Sequence, residues 1–436
     1  MELKDFNTFG GYNPSKLKWD ETITFPSTRR LLEFGNRVYN RYPARSIFLV
    51  PRATIHYKKK GKKTINVLDP FMGSGTTAVE SSVQNCNIYG TEMDPFARLI
   101  AEVSIFRFDK KELKKIDAIY NDIINNWKNF PIDKKLYPNL NNIEYWFDET
   151  IFTDLLRLKS YLYHKIKNEK IFKFFQVTFA DCIKPSSKME RQSTKPYISR
   201  KFKKEVKPVI ESFEYSFKAH LKAISQYNTD HESIKSSSKI NWLGTDATNF
   251  NTVKDIIDVA ITSPPYLNAF DYTQIIKVES AWLGTLVNSD IDTLRHKQVG
   301  HEKRRDNSVN PLVSEIFKLY YGKIIKMSGS LEAKKSKTNY KNVANTCLSY
   351  FNDMYNNLVC VKAVLKRGGE YHLVIGDNVI KNIEIPTHKL IAEIAQSIGF
   401  KWVGYYKYAI KDHRTSIPRN ENGGKIKHEY VIILKK

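Results

Sequence analysis

The chain has 436 residues, and its 70 Lys and Arg outnumber 46 Asp and Glu to give a formal charge of +24. Hydrophobic residues at 41% and aromatics at 13%, with only 19 Gly and 16 Pro, describe a chain able to bury a large core, which excludes a disordered or fibrous protein. No stretch approaches the ~18 uninterrupted apolar residues of a membrane span, and the start MELKDFNTFGGY is not a cleavable signal, so no membrane contact and a cytoplasmic location are expected. Cys86, Cys182, Cys347 and Cys360 lie far apart without metal-ligand spacing, which predicts reduced thiols and no metal. The positive excess favours a polyanionic partner, although composition alone does not establish one.

Residues 1–60 mix aromatic, polar and basic residues, and the run Lys58 to Lys63 reads as a solvated turn before a first strand at Ile65 to Leu68. DPFMGSGTTAVESS then gives a glycine loop and a helix from Thr77 to Val83. A second strand, Asn87 to Gly90, ends at Thr91-Glu92-Met93-Asp94, and helical periodicity resumes from Phe96 to Ser104. From about 109 to 240 apolar residues recur at three and four, which predicts a helical insertion. Within it, residues 184–207 carry nine basic and two acidic residues. Strands are expected again at Ile240 to Leu243 and Val259 to Ile261, and a second basic stretch runs from Arg295 to Lys341. Three more strands and a helix near 386–397 complete an alternating α/β frame.

Two motifs carry chemistry. Gly73 and Gly75 after a strand, with Glu92 at the next strand end, fit a nucleoside site: glycines let the backbone approach a ligand, and a carboxylate accepts from ribose hydroxyls. A dinucleotide dehydrogenase would present the same pattern, but Asp69 at the strand tip suits an ammonium group and would repel a pyrophosphate. The second motif is Thr262-Ser263-Pro264-Pro265-Tyr266. Its two prolines hold the backbone extended, so the Ser263 and Pro264 carbonyls become fixed acceptors for an exocyclic amine, with the Tyr266 ring beside them for stacking. A proline-stiffened loop is the plain structural alternative.

At these residues the sequence resembles the DNA amino-methyltransferases that use S-adenosyl-L-methionine. VLDPFMGSGTT is similar to the family's cofactor loop, YGTEMDPFARLIA to its ribose-binding strand end, LGTDATNF to its adenine-binding turn and TSPPY to its catalytic tetrapeptide with a leading Thr. Tyr42 to Arg52 is similar to the helix before the cofactor loop, and LKRGGEYHLVIGD and HEYVIILKK to the closing strands. The resemblance leaves out roughly 109–240 and 286–345.

What the resemblance implies is a seven-stranded Rossmann-like α/β sheet with a large helical insertion. The units expected are residues 1–108, with the cofactor loop; 109–239, the insertion, for DNA recognition; and 240–436, the catalytic part, with a basic insert at 286–345. Arg45, Asp69, Phe71, Gly73, Ser74, Gly75, Thr76, Thr77, Glu92, Met93, Asp246 and Ala247 would bind the cofactor. Asp69 would sense the methionine ammonium, Glu92 the ribose, Met93 the adenine face and Asp246 the adenine amino group. Ser263, Pro264, Pro265 and Tyr266 would act on the target base, with Asp271 and Tyr272 in support. Lys195, Arg200, Lys201, Arg295, Lys297, Arg304, Arg305 and Arg414 are the candidates for DNA contact. Ser at the head of the tetrapeptide points to cytosine N4, with adenine N6 and then RNA as alternatives. Double-stranded DNA is the expected partner, with a cognate restriction endonuclease acting on the same site.

Overall fold

The computed structural model describes residues 22–23, 42, 46–190, 193, 195–201, 204–230, 238–250, 253–267, 271–304, 308–329, 339–409 and 428–436. After a two-residue strand β1 (Thr22–Ile23), helix α1 (Leu49–Lys59) leads into β2 (Asn66–Asp69), α2 (Thr76–Val83), β3 (Asn87–Thr91) and α3 (Pro95–Ser104). Four helices follow without an intervening strand among the described residues: α4 (Lys110–Asn126), α5 (Glu149–Lys165), α6 (Glu169–Ile183) and α7 (Val209–Asp230). The α/β frame resumes with β4 (Ile240–Gly244), β5 (Ile257–Thr262) and α8 (Tyr272–Leu283). Helices α9 (Asn288–Lys297), α10 (Pro311–Lys326) and α11 (Tyr340–Val364) precede β6 (Leu365–Gly376), a hairpin of β7 (Asn378–Ile380) and β8 (Ile383–Ile385), α12 (Thr387–Ser397), β9 (Lys401–Ala409) and β10 (His428–Lys435).

The main sheet has the order β1-β9-β10-β6-β5-β2-β3-β4. Seven strands form the mostly parallel sheet expected from the sequence, and β1 adds two residues along its edge. The pairs β2/β3, β2/β5, β3/β4 and β5/β6 are parallel, whereas β10 runs antiparallel to both β6 and β9. Central strands buried on two faces must be apolar nearly throughout, and DVAI in β5 meets that demand. The two-residue side-chain period sends Val67 and Val259 into the core beside α1, and Leu68 and Ala260 into the core beside α11 and α12.

Helix starts follow from local chemistry. The Asp94 carboxylate accepts from Phe96 N and Ala97 N at 2.8 and 2.9 Å, with Pro95 in the first turn of α3, where its missing N–H costs nothing. Asp109 and Glu112 close a capping box on α4, and Gly284 ends α8 at φ +71°. Helix α1 docks on α2 through a buried bidentate pair, with Arg52 Nε 2.6 Å and Nη2 2.8 Å from the two Glu80 oxygens.

The inserted helices are not a detached unit. One apolar cluster joins α4 to α7 with Phe96, Leu99 and Val103 of α3 and Ile275, Val278 and Trp282 of α8. The fully buried Trp282 meets the rings of Phe147, Phe152 and Phe179 at 5.6, 5.0 and 6.2 Å. The insertion therefore packs on the two helices that follow Glu92 and the TSPPY loop. No helix among the described residues is long and apolar enough to cross a membrane.

Candidate active site

In a parallel sheet the carboxyl ends of the strands share one edge, and loops leaving there line a common crevice. The ends of β2, β3 and β5 bring Asp69, Glu92 and the TSPPY loop to that edge. Thr262 Oγ1 donates to Asp69 Oδ1 at 2.6 Å, and Phe71 N donates to the same oxygen at 3.0 Å. The Thr77 hydroxyl also bonds this carboxylate. Burial nevertheless dominates and pushes the Asp69 carboxyl up to about 6, against those three hydrogen bonds.

The glycine loop is shaped by contacts that side chains would block. Gly73 and Gly75 have φ of +51° and +86°. A Cβ at Gly75 would sit 2.9 Å from Ala101 Cα and Cβ, so the glycine lets α3 approach the loop. A Cβ at Gly73 would stand 3.6 Å from the Tyr42 ring, which places this tyrosine over the loop. Glu92 binds the loop back to β3: its Oε2 accepts from Gly73 N at 2.7 Å and its Oε1 from Asp94 N at 2.9 Å. Burial pushes the Glu92 carboxyl up to about 7, with the charges of Asp94 and Asp69 adding to it and the two amides opposing. Thr76 and Thr77 open α2, while Ser74 and Met93 are half-buried at the same edge.

The turn after β4 is an Asx turn, in which Asp246 Oδ1 accepts from Thr248 N at 2.8 Å and Thr248 Oγ1 at 2.7 Å. Asn357 Nδ2 of α11 fixes this turn by donating to Ala247 O at 2.7 Å. Phe71 packs at the margin of the apolar cluster beneath it.

In the TSPPY loop Pro264 is buried, and Ser263, Pro265 and Tyr266 are half-buried. Asn378 Nδ2 donates to Leu267 O at 2.8 Å and holds the loop from the start of β7. The Tyr266 hydroxyl donates to Glu429 Oε1 at 2.6 Å, and Tyr408 donates to Glu429 Oε2 at 2.5 Å. Glu429 stands opposite Gly376 on one side and Tyr408 on the other, so the antiparallel β10 delivers this carboxylate to the same edge. Burial and the adjacent Glu429 charge hold the Tyr266 phenol well above its usual range. Tyr272 adjoins Glu92 and Tyr266 electrostatically, and its hydroxyl is raised to about 12 by burial and the Glu92 charge.

Asp271 caps α8, and its Oδ2 lies 2.7 Å from Arg295 Nε and 3.2 Å from His301 Nε2. Arg304 reaches inward, with Nη2 2.6 Å from the buried Asp353 and 3.4 Å from Thr248 Oγ1. These two arginines, expected on a DNA-facing track, are placed in ion pairs that brace the site. Lys195, Arg200, Lys201 and Lys297 are exposed. Arg45, Arg305 and Arg414 lie outside the described residues. Sequence reasoning did not identify Glu429, Tyr408, Asn357 or Asn378, since each is remote in sequence from what it supports and no local motif marks it.

The chain is 23% identical over 381 residues to the type II methyltransferase M.MvaI of Kocuria varians, covering 82% of this chain and 80% of that one. It is similar along most of its length to type II methyltransferases. M.BsoBI of Geobacillus stearothermophilus is 25% identical over 386 residues, 78% of this chain and 74% of the relative. M.MjaII of Methanocaldococcus jannaschii is 33% identical over a shorter stretch of 115 residues, 26% of this chain and 21% of its own. No family model matches the chain. The similarity supports a methyltransferase.

Proposed function

We propose that the chain is a site-specific DNA methyltransferase that moves a methyl group from S-adenosylmethionine to the exocyclic N4 of a cytosine flipped out of duplex DNA. The observation that carries this reading is the meeting of Asp69 and Thr262, which sets the cofactor-loop strand and the TSPPY strand side by side at one edge. The relatives are named type II methyltransferases, and the proposal includes a cognate restriction endonuclease acting at the same sequence.

The donor set fits the cofactor. Asp69 offers a carboxylate to an ammonium, Glu92 to ribose hydroxyls and Asp246 to an adenine amino group, while Phe71, Gly73, Ser74, Gly75, Thr76, Thr77, Met93 and Ala247 complete the cradle; Arg45, outside the described residues, is a further candidate. Two acids raised by burial favour a cationic ligand, because a positive charge nearby stabilises their ionised form. When bound, S-adenosylmethionine supplies an electrophilic methyl group on a sulfonium.

The chain's own residues then act on the base. Acceptors at Ser263 and Pro264 take hydrogen bonds from the amine and draw its lone pair out of conjugation with the ring. Tyr266 stacks on the flipped base, and Pro265 keeps the loop extended. Positioning supplies the rest of the rate. Lys195, Arg200, Lys201 and Lys297 neutralise DNA phosphates, with Arg305 and Arg414 as further candidates.

The test is to incubate purified protein with labelled S-adenosylmethionine and mixed-sequence duplex, digest to nucleosides and identify the product by mass spectrometry. N4-methylcytosine is the expected product. N6-methyladenine would overturn the base assignment, and transfer to RNA but not DNA would overturn the substrate.

A further inference from the structure

A pocket of about 540 Å³ lies between the insertion and α8, lined by Leu140, Asn141, Asn142, Glu144, Tyr145, Trp146 and Lys277. None of the strand-tip residues described above lines it. Its volume falls in the range of small-ligand sites. Three observations describe what it suits. The Lys277 ammonium lies 5.8 Å from the centre of the Trp146 ring, and among the described residues no acid pairs with it. The acid that bears on Lys277, Asp271, is already held by Arg295 and His301. Lys277 is only half-buried, so its ammonium is open to an acceptor that enters the pocket.

The walls are aromatic and amide in character. Tyr145 is 62% exposed and meets Trp146 edge-on at 5.4 Å. Asn141 and Asn142 are exposed at the rim, and Asn142 sits at φ +55°, a region asparagine tolerates. The Glu144 carboxylate accepts from the Tyr137 hydroxyl. The Trp146 carbonyl accepts from Lys188 N at 2.8 Å, which joins the pocket to the basic segment 184–207. One ammonium against an indole is poor equipment for a backbone phosphate, which is usually met by several donors. It suits a flat π-face with an acceptor at its edge.

We infer that this pocket receives an unstacked base of the DNA substrate, with Trp146 and Tyr145 as its stacking surface and Lys277 as donor to a base acceptor. The inference deepens the DNA reading and rests on it. The pocket lies alongside the helix that leaves the catalytic loop, so a base held here would fix the duplex relative to Tyr266.

The test is fluorescence anisotropy of the full chain with a dye-labelled mixed-sequence duplex and with a single strand of the same sequence. Tyr145→Ser, at a largely exposed position that folding does not need, and Lys277→Met are each expected to weaken binding about tenfold, the size of one lost base stack. Calorimetric binding of S-adenosylmethionine is expected to stay unchanged in both. Wild-type DNA affinity in both variants overturns the pocket while leaving the methyltransferase reading intact. Weakening in Lys277→Met but not in Tyr145→Ser makes the site a phosphate contact and overturns base binding. A wild-type protein that binds no duplex overturns the DNA reading and the pocket together.

Discussion

Thr262 donates to Asp69 across two adjacent parallel strands, 2.6 Å apart, and so couples the last residue of β5 to the last residue of β2. The residue just before Ser263 thus orients the carboxylate expected to meet the cofactor ammonium. Asp69→Ala is expected to raise the S-adenosylmethionine Kd well over tenfold in calorimetry. Thr262→Val is expected to raise it about tenfold, since a hydrogen bond to a charged group contributes roughly 1.5–3 kcal/mol. An unchanged Kd in Asp69→Ala would remove this residue from the cofactor site.

Burial raises Glu92 from 4.5 to about 7 and Asp69 from 3.8 to about 6. Each acid holds its proton more tightly folded than unfolded, so the ligand-free protein gains stability below about pH 4 from these groups. That stability is lost as pH rises through about 6 to 7. Denaturant midpoints across this window should show the fall, and Glu92→Gln should flatten the part between about 4.5 and 7. Ligand binding should oppose the trend, because the cation favours the ionised forms.

The Tyr266 hydroxyl is clamped by Glu429, which Tyr408 shares. Tyr266→Ala should spare cofactor affinity and lower kcat by on the order of a hundredfold, the scale on which a misplaced reacting group is felt. Glu429→Gln keeps an acceptor and should lose little. Glu429→Leu removes the acceptor that both phenols share and should lower kcat with the cofactor Kd unchanged. Equal kcat in Glu429→Leu and wild type would deny the clamp any role in catalysis.

Gly75→Ala places a Cβ 2.9 Å from two Ala101 atoms at a φ of +86°. A strained backbone of this kind costs about 1–3 kcal/mol, so thermal unfolding should shift down measurably. Gly61→Ala has a similar φ of +78° with nothing near its Cβ, and it should fall by less.

The strands and loops at the site edge were legible because apolar runs there end in Gly, Pro or acidic residues, which are strong local signals. Other elements were not. The run Lys58 to Lys63 reads as a turn, yet α1 continues through Lys59, since the buried face from Leu49 to Ile55 carries the helix onward and Lys58 pairs with Glu370 at 2.5 Å. The hairpin of β7 and β8 turns on Lys381 and Asn382, with φ of +49° and +62°, without the Asn-Gly pair that marks such turns. At the site, Asp69 and Glu92 sit inside motifs and could be named from them. Glu429 lies 163 residues from Tyr266 and is related to it only by strand order. Arg295 and Arg304 read as surface charge because the buried acids they reach, Asp271 and Asp353, lie 24 and 49 positions away.

The two bonds that complete the site span 193 residues between Asp69 and Thr262 and 163 between Tyr266 and Glu429. The inserted helices, by contrast, close most of their core over neighbouring segments. Chain-closure entropy falls late on contacts of such separation, so helical signal should recover first during refolding and methyl transfer last. Competence to act is thus the final property this chain acquires, after it is already compact.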